Sequence, residues 1–290
     1  ATPAYEDGKL YVAGMRDVLV CLDAATGDEI WRLDFVKQLA TPLPSFGFVS
    51  SPLIAEDGLY VQAGAAFLKL DKATGEILWK SLDDGGGMSG SAFSSPVVAT
   101  LVGKRQLVVQ TRTTLAGVNP DDGDVLWSFD VPAFRGMNIL TPTIIGDTVF
   151  TSSYGGKSLS LAVSSAGGPA SVSQKWTNKT QAYMSSPLLI DGHLYLHLRN
   201  QRFTCIDAMT GESKWTTQPY GKYWSMVANG DRILALDERG DLMLIAANPA
   251  KFELLDTFKV SDEETWAHLA ISGNHVVIRE LNAVRAYLWQ

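Results

Sequence analysis

The segment Asp71-Lys-Ala-Thr-Gly-Glu-Ile-Leu-Trp79 decides the fold, because copies of it recur along the 290-residue chain. Close copies span Asp23–Trp31, Asn119–Trp127 and Asp207–Trp215, and a degraded copy spans Gly167–Trp176. A repeat of roughly 40–50 residues, built from short strands and Gly turns, is typical of β-propellers. The repeat therefore indicates the architecture before any single motif suggests a function.

Each part of the repeated segment has a physical role. The Asp carboxylate can accept hydrogen bonds from backbone N–H groups two or three residues later, and the Gly supplies a left-handed conformation that ends the turn. The Trp falls on an outer strand, where its ring can bury on the order of 200 Å² against the neighbouring unit. The structural residues predicted in this way are Gly27, Gly75, Gly123, Gly211, Trp31, Trp79, Trp127, Trp176 and Trp215.

A second landmark, Ser-Ser-Pro or Thr-Pro, opens five of the units. Its prolines are Pro3, Pro52, Pro96, Pro142 and Pro187, with spacings of 49, 44, 46 and 45 residues. Two further units open without proline, near Trp224 and Trp266. Between these landmarks, short runs of β-branched and aromatic residues bounded by Gly, Asp and Asn predict antiparallel strands.

The sequence thus predicts an all-β protein, a single β-propeller domain over residues 1–290 with about seven four-stranded antiparallel blades. The blades are predicted at about 1–35, 48–82, 93–131, 140–178, 184–217, 223–260 and 265–290. The last range holds only three strand-like runs, which predicts an incomplete blade, and a fragment of an eight-bladed ring stays an alternative. A linear stack is less favoured, because its strands are usually parallel and its period shorter.

Composition excludes some classes of function. The chain has 24 Lys and Arg against 31 Asp and Glu, a net charge of −7, which argues against a nucleic-acid partner. No apolar stretch approaches the ~20 residues of a transmembrane helix. Cys21 and Cys205 hold equivalent places in two repeats and are predicted to be buried free thiols. Ala1 stands where later repeats carry a residue of the Ser-Ser-Pro head, so we expect a processed or trimmed chain.

The Asp-x-x-Thr-Gly-x-x-x-Trp turns and the Ser-Ser-Pro heads at residues 50, 94 and 185 resemble the pyrroloquinoline-quinone (PQQ)-like β-propeller repeat family. That family includes quinoprotein alcohol dehydrogenases and BamB-like outer-membrane assembly lipoproteins. The dehydrogenases have a disulfide between adjacent cysteines and a calcium or lanthanide ion held by Glu, Asn and Asp. This chain has neither a Cys-Cys pair nor a matching ligand set. The resemblance is therefore closer to the non-catalytic BamB-like members, and it implies no catalytic, cofactor-binding or metal-binding residue, so neither PQQ nor calcium is expected.

In such rings, loops between strands gather on one face, and here those loops collect Arg and aromatic residues, the types enriched at binding hot spots. The predicted partner-binding residues are Arg16, Arg112, Arg135, Tyr154, Arg199, Tyr223, Trp224, Trp266, His268 and Arg279. The same loops contain Lys157, Arg202, Glu280, Phe46, Phe48, Phe93, Met137 and Tyr183. The competing interpretation is structural, with Arg bonded to loop carbonyls and aromatic rings filling the channel.

The favoured function is a non-catalytic bacterial scaffold, periplasmic or extracellular, that recognises a protein, peptide or glycan through one face of the ring. One alternative is a PQQ-dependent quinoprotein dehydrogenase or a quinone-binding module. Another is an extracytoplasmic sensor domain of a larger protein. The sequence leaves open the identity of the partner and the oligomeric state.

Overall fold

The computed structural model describes residues 1–55, 58–84, 92–165 and 168–289. Within these ranges the chain has 27 β-strands, one short α-helix, α1 (Phe35–Leu39), and one 3-10 turn, Phe134–Gly136. The strands form seven antiparallel sheets, six with four strands and one with three strands in the described residues. The prediction of an all-β protein of the β-propeller class is therefore confirmed. Gly167 of the degraded repeat lies outside the described residues.

The chain divides into two compact units, Ala1–Lys175 and Trp176–Gln290, and the boundary falls within one strand. That the whole chain is a single domain stays a prediction. The strands that begin in the first unit are β1 (Ala4–Glu6), β2 (Lys9–Gly14), β3 (Val18–Asp23), β4 (Glu29–Asp34), β5 (Leu53–Ala55), β6 (Gly58–Ala63), β7 (Ala66–Leu70), β8 (Ile77–Ser81), β9 (Val97–Leu101), β10 (Lys104–Gln110), β11 (Thr114–Val118), β12 (Val125–Asp130), β13 (Thr143–Ile145), β14 (Thr148–Ser152), β15 (Ser158–Ser164) and β16 (Ser171–Asn178). Each consecutive group of four forms one sheet, with its strands paired in chain order.

The second unit repeats this organisation with three sheets. Its strands are β17 (Leu188–Ile190), β18 (His193–His197), β19 (Arg202–Asp207), β20 (Ser213–Pro219), β21 (Trp224–Asn229), β22 (Arg232–Asp237), β23 (Asp241–Ala246), β24 (Glu253–Lys259), β25 (Ala270–Ser272), β26 (His275–Arg279) and β27 (Val284–Leu288). The last sheet, β25–β27, has three strands in the described part of the chain, which agrees with the incomplete final blade expected from the sequence.

The hydrophobic core of each unit lies between neighbouring sheets. In the first unit, Tyr11 and Leu19 of the first sheet share one apolar cluster with Leu59 and Leu68 of the second. Because a sheet in this position is covered on both faces, every residue of β6 and β7 is buried. The two polar side chains of these strands are bonded inside the protein, since Gln62 Nε2 donates to the carbonyls of Ser94 and Gln110 and Lys69 Nζ donates to the carbonyl of Pro120.

The repeated turn forms as its sequence predicts. Asp71 Oδ1 accepts hydrogen bonds from the backbone N–H groups of Ala73 and Thr74, each at 2.8 Å. Gly75 has a φ of 75°, and its N–H donates to the carbonyl of Asp71. An added Cβ at Gly75 would lie 2.8 Å from Cε3 of Trp31 in the preceding sheet. This position therefore requires Gly for its backbone conformation and for the close approach of the indole.

The repeat tryptophans join consecutive sheets by hydrogen bonds from indole Nε1 to a backbone carbonyl in the next repeat turn. The pairs are Trp31 to Lys72 at 3.2 Å, Trp79 to Pro120 at 3.3 Å, Trp176 to Ala208 at 3.1 Å and Trp215 to Asn248 at 2.8 Å. Trp127 differs, because its Nε1 donates to Gln106 Oε1 of its own sheet at 2.6 Å. Its ring nevertheless shares an apolar cluster with Val149 of the following sheet.

The Ser-Ser-Pro heads make a second connection between sheets. Thr2 N donates to Ser51 Oγ at 2.8 Å, and Ser51 N donates to Ser95 Oγ at 3.0 Å. These three residues occupy equivalent positions in successive repeats, so each hydroxyl accepts from the backbone of the unit before it. The Ser-Ser-Pro and Thr-Pro heads, which in the sequence mark the start of each unit, thus also link successive sheets by hydrogen bonds.

The two cysteines are free and fully buried. Burial raises the pKa of Cys205 to about 11 and also raises the pKa of Cys21. Each thiol lies in a cross-strand row between a Tyr and the repeat Trp, such as Tyr195, Cys205 and Trp215. The cysteines therefore act as small core residues.

Candidate functional site

In each unit the loop between the second and third strands of a sheet contacts the loop that leads from one sheet to the next. In the first unit, Phe134 N donates to the carbonyl of Tyr154 at 2.9 Å. In the second unit, Thr265 N donates to the carbonyl of Glu238 at 3.0 Å. We call the surface formed by these two kinds of loop the loop face of each unit. The repeat turns lie at the opposite ends of the third strands.

The predicted residues of the first unit do not form one group. Arg16 is exposed, whereas the Arg112 side chain is only 17% exposed and lies 3.9 Å from Asp84. Arg135 and Tyr154 come together at Phe134, whose ring centroid lies 5.1 Å from the Arg135 guanidinium and 6.1 Å from the Tyr154 ring.

Phe134 itself is 55% exposed. Sequence reasoning missed it, although it is an aromatic residue of an inter-sheet loop from which Arg135 and Met137 were selected. Arg112 packs beside the same loop, since an added Cβ at Gly136 would lie 3.1 Å from its side chain.

Four predicted residues of the second unit, Trp224 among them, do converge. Tyr223, Trp266 and His268 line one cavity of about 200 Å³, together with Met184, Trp224, Ser225 and Thr265. Two of the predicted residues lie elsewhere. Arg199 lines a separate polar cleft beside Gln181, and Arg279 is exposed at the end of β26.

Two rings of this cavity and one ring beside it form a connected aromatic cluster, which we define as Tyr183, Tyr223 and Trp266. Tyr183 and Tyr223 stack with their ring centroids 5.8 Å apart and an interplanar angle of 29°. Trp266 meets Tyr223 at 5.4 Å and 58°, and the Lys222 ammonium lies 5.1 Å from the Tyr223 ring centroid. Trp266 is 65% exposed, so the cluster presents an indole to solvent.

The loop that carries Tyr223 is fixed by a side chain of a neighbouring loop. Glu238 Oε2 accepts hydrogen bonds from the backbone N–H groups of Lys222 at 2.6 Å and Tyr223 at 3.1 Å. These charge-assisted bonds hold the half-buried Tyr223 in one position before any ligand binds. The Glu238 carboxylate thus fixes the backbone that carries Tyr223 of the cluster.

Trp224 was predicted on the binding surface, but its ring is 3% exposed. It stacks on His197 at 4.8 Å with an interplanar angle of 16°. His197 Nε2 lies 3.2 Å from the carbonyl oxygens of both Tyr220 and Gly221, as the donor to these acceptors. Burial lowers the pKa of His197, although the two carbonyls oppose that shift. The neutral imidazole therefore supports Trp224 from below the surface.

Two further observations concern the described residues alone. Across 1–55, 58–84, 92–165 and 168–289, no three His, Cys, Asp or Glu side chains lie close enough together to hold a metal ion. The same ranges contain no helix with the length and apolar character needed to cross a membrane.

The four-stranded sheets, the repeated turns and the Trp contacts define the chain as a β-propeller with PQQ-like repeats. A family model described as "Outer membrane protein assembly factor BamB" matches residues 1–217, and the chain belongs to that family. The resemblance to BamB-like members that the repeat turns suggested is confirmed.

Two curated relatives carry the same description. The protein from Yersinia pestis is 21% identical over 259 residues, which is 85% of this chain and 63% of the relative. The protein from Nitrosomonas eutropha is 28% identical over 221 residues, or 73% of this chain and 50% of the relative. The chain thus spans between one half and two thirds of the length of these relatives.

Among solved structures, the crystal structure of BamB from Moraxella catarrhalis is similar, with a TM-score of 0.73 and 14% identity. The similarity covers 96% of this chain and 81% of that one. At this identity the likeness supports the fold alone.

Proposed function

We propose that this chain is a non-catalytic scaffold on the periplasmic side of the outer membrane, where its loop face binds a protein that takes part in outer-membrane protein assembly. The observation that carries the proposal is the aromatic cluster, in which the exposed Trp266 ring packs against two half-buried Tyr rings, and the loop of Tyr223 is fixed by backbone hydrogen bonds to Glu238. The description of the family and of its relatives indicates the biological process, outer membrane protein assembly.

The chemistry of the loop face suits a protein partner. Exposed Tyr and Trp supply large contact areas at little cost in conformational entropy, and Arg135 beside Phe134 adds a second group of the same kind in the first unit. A glycan would instead be favoured by a broad flat ring surface. Here Tyr183 and Tyr223 cover each other, and Trp266 is tilted by 58°.

The rigidity of the loops also favours binding. Loops that are already ordered lose less freedom when a partner docks. Glu238 fixes the Tyr223 loop, and Asn138 fixes the Phe134 loop through bonds from its Nδ2 to the carbonyls of Val131 and Arg112 at 2.7 and 3.0 Å. These two loops of the loop face are therefore preorganised for binding a partner.

Site-specific photo-crosslinking in living bacteria tests the proposal. A benzophenone amino acid replaces Tyr154 or Tyr223 on the loop face, and Thr26 or Met209 in the repeat turns as matched controls. We expect crosslinks to proteins of outer-membrane assembly from the loop face and none from the controls. Deleting the gene should lower the amount of folded outer-membrane β-barrel protein. Crosslinks from the repeat turns alone, or unchanged barrel levels together with no loop-face crosslink, would contradict the proposal.

A further inference from the structure

We propose that the aromatic cluster and the adjoining segment Asp262–Glu264 together bind a cationic side chain, Lys or Arg, from the partner polypeptide. This inference rests on the proposed function, because it specifies the chemistry of the partner at the loop face of the second unit. We call the combined surface the acidic-aromatic notch, defined by Asp262, Glu263, Glu264, Tyr223 and Trp266.

The acidic segment is held at both ends. Ser261 is 5% exposed, and its Oγ donates to Glu280 Oε2 at 2.5 Å and accepts from Glu263 N at 2.9 Å. Thr265 is 3% exposed, and its Oγ1 donates to the carbonyl of Asp237 at 2.5 Å. Since both anchors point inward, the three acidic residues between them are turned to solvent.

The carboxylates of the notch are available to a ligand. Glu263 and Glu264 are exposed, and within the described parts of the chain neither forms an ion pair. Two nearby arginines have their closest carboxylate partners outside the notch, although Arg285 also interacts electrostatically with Asp262. Arg239 pairs with Asp237 at 2.7 Å, and Arg285 pairs with Glu280 at 2.7 Å. Glu263 and Glu264, within three residues of Trp266, therefore carry negative charge that no described Lys or Arg pairs, whereas the Lys222 ammonium lies on the Tyr223 side of the cluster.

The rings add an independent preference for a cation. A Trp face attracts ammonium and guanidinium groups more strongly than a Tyr or Phe face. Lys222 already lies over Tyr223, which shows that this cluster accepts a cation. No Lys or Arg among the described residues lies over Trp266, although this indole is 65% exposed.

The size of the cavity selects a side chain over a larger ligand. Its volume is about 200 Å³, below the roughly 300–1,000 Å³ of ordinary small-molecule pockets. The 58° angle between Tyr223 and Trp266 makes a corner, not a platform for a sugar ring. A Lys or Arg stem can lie in this corner, with its charge directed to the carboxylates.

Titration followed by NMR of the indole N–H signals tests the inference on the full chain labelled with ¹⁵N-Trp. The Trp266 signal is assigned with Trp266→Phe. The probes are the capped pentapeptides Gly-Arg-Gly-Arg-Gly, its Gln and Glu counterparts, and chitotetraose. We expect the Arg peptide to shift the Trp266 signal saturably, with weaker binding at higher salt. The Gln and Glu peptides and the sugar should leave it unchanged.

Two charge variants make the test specific. Glu263→Gln with Glu264→Gln should weaken binding of the Arg peptide about threefold to tenfold, because two nearby carboxylates are lost. Asp28→Asn with Glu76→Gln removes the same charge from exposed repeat turns of the first unit and should not change binding. Unchanged melting temperatures establish that both double variants are folded.

Three results would overturn the inference: no Trp266 shift with the Arg peptide, an equal shift with the Gln peptide, or a shift with the sugar alone. Equal affinity of the Glu263/Glu264 variant and the parent chain would also overturn it. If loop-face crosslinks to an assembly protein persist in these cases, the proposed function stands. Only the inference that the partner contributes a cationic side chain is then wrong.

Discussion

At the scale of single residues, the Gly of the repeat turn is constrained in two ways. Its backbone has a positive φ, and in some repeats an indole from the preceding sheet packs against it. Gly27 and Gly75 occupy the same place in successive turns, with φ values of 79° and 75°. An added Cβ at Gly75 would meet the Trp31 ring, whereas one at Gly27 would meet no described atom within 4 Å. The pair therefore separates the cost of the backbone conformation from the cost of the close contact.

We expect Gly27→Ala to lower the free energy of unfolding by about 1–2 kcal/mol, because an L-residue is strained at positive φ. Gly75→Ala should lower it by about 1–3 kcal/mol more, since the ring must move to admit the methyl group. Urea unfolding followed by circular dichroism measures both values. Equal losses would mean that the Trp31 ring moves away without cost.

At the scale of elements, consecutive sheets are joined by an indole N–H and a turn carbonyl, but the carbonyls differ in their other donors. Pro120 O accepts from Trp79 Nε1 and also from Lys69 Nζ at 3.0 Å. Asn248 O accepts from Trp215 Nε1 at 2.8 Å. Removing the indole N–H should therefore matter more at Trp215, because Pro120 O keeps another donor.

We expect Trp215→Phe to lower the free energy of unfolding by about 0.5–1.5 kcal/mol more than Trp79→Phe, the size of one hydrogen bond lost at a half-buried carbonyl. Both substitutions lose the same ring atoms, so each serves as the packing control for the other. Thermal and urea unfolding of the two variants give the comparison. A larger loss for Trp79→Phe would show that the extra donor at Pro120 does not compensate.

At the scale of the whole molecule, stability should depend on pH through groups whose pKa values change on folding. Backbone hydrogen bonds lower the pKa of Asp71 and Asp23 in the repeat turns, so their contribution is present near neutral pH and is lost in strong acid. His197 affects the free energy of unfolding at a higher pH than these two carboxylates do. Its pKa is lowered by burial, so the unfolded chain binds a proton more readily than the folded chain. Stability should thus begin to fall as the pH drops below about 6.5, the ordinary pKa of His.

We expect the melting temperature to decrease between pH 7.5 and pH 5.5, and His197→Gln to reduce this dependence, because Gln can donate to the carbonyls without titrating. His193→Gln, on the same strand but only partly buried, is the matched control and should leave the dependence unchanged. Differential scanning fluorimetry across this pH range measures the three chains. The same pH dependence in the His197 variant as in the parent would contradict the assignment.

Much of the molecule follows from short-range properties of its sequence. The Asp turns, the strands and the outer-strand position of each Trp depend on hydrogen bonds and conformations within about ten residues, and they recur. The class of fold and the family resemblance could therefore be predicted, and both are confirmed. The binding residues could only be proposed, because the amino-acid sequences of their loops do not repeat from one unit to the next.

Tertiary structure decided which of those loop residues meet. Trp224 and Trp266 open equivalent units, yet one indole is buried on His197 and the other is 65% exposed. Trp127 looks like its counterparts in sequence, yet its N–H bonds to Gln106 of its own sheet. Such differences depend on side chains distant in the sequence that compete for the same space, and local patterns carry no information about that competition.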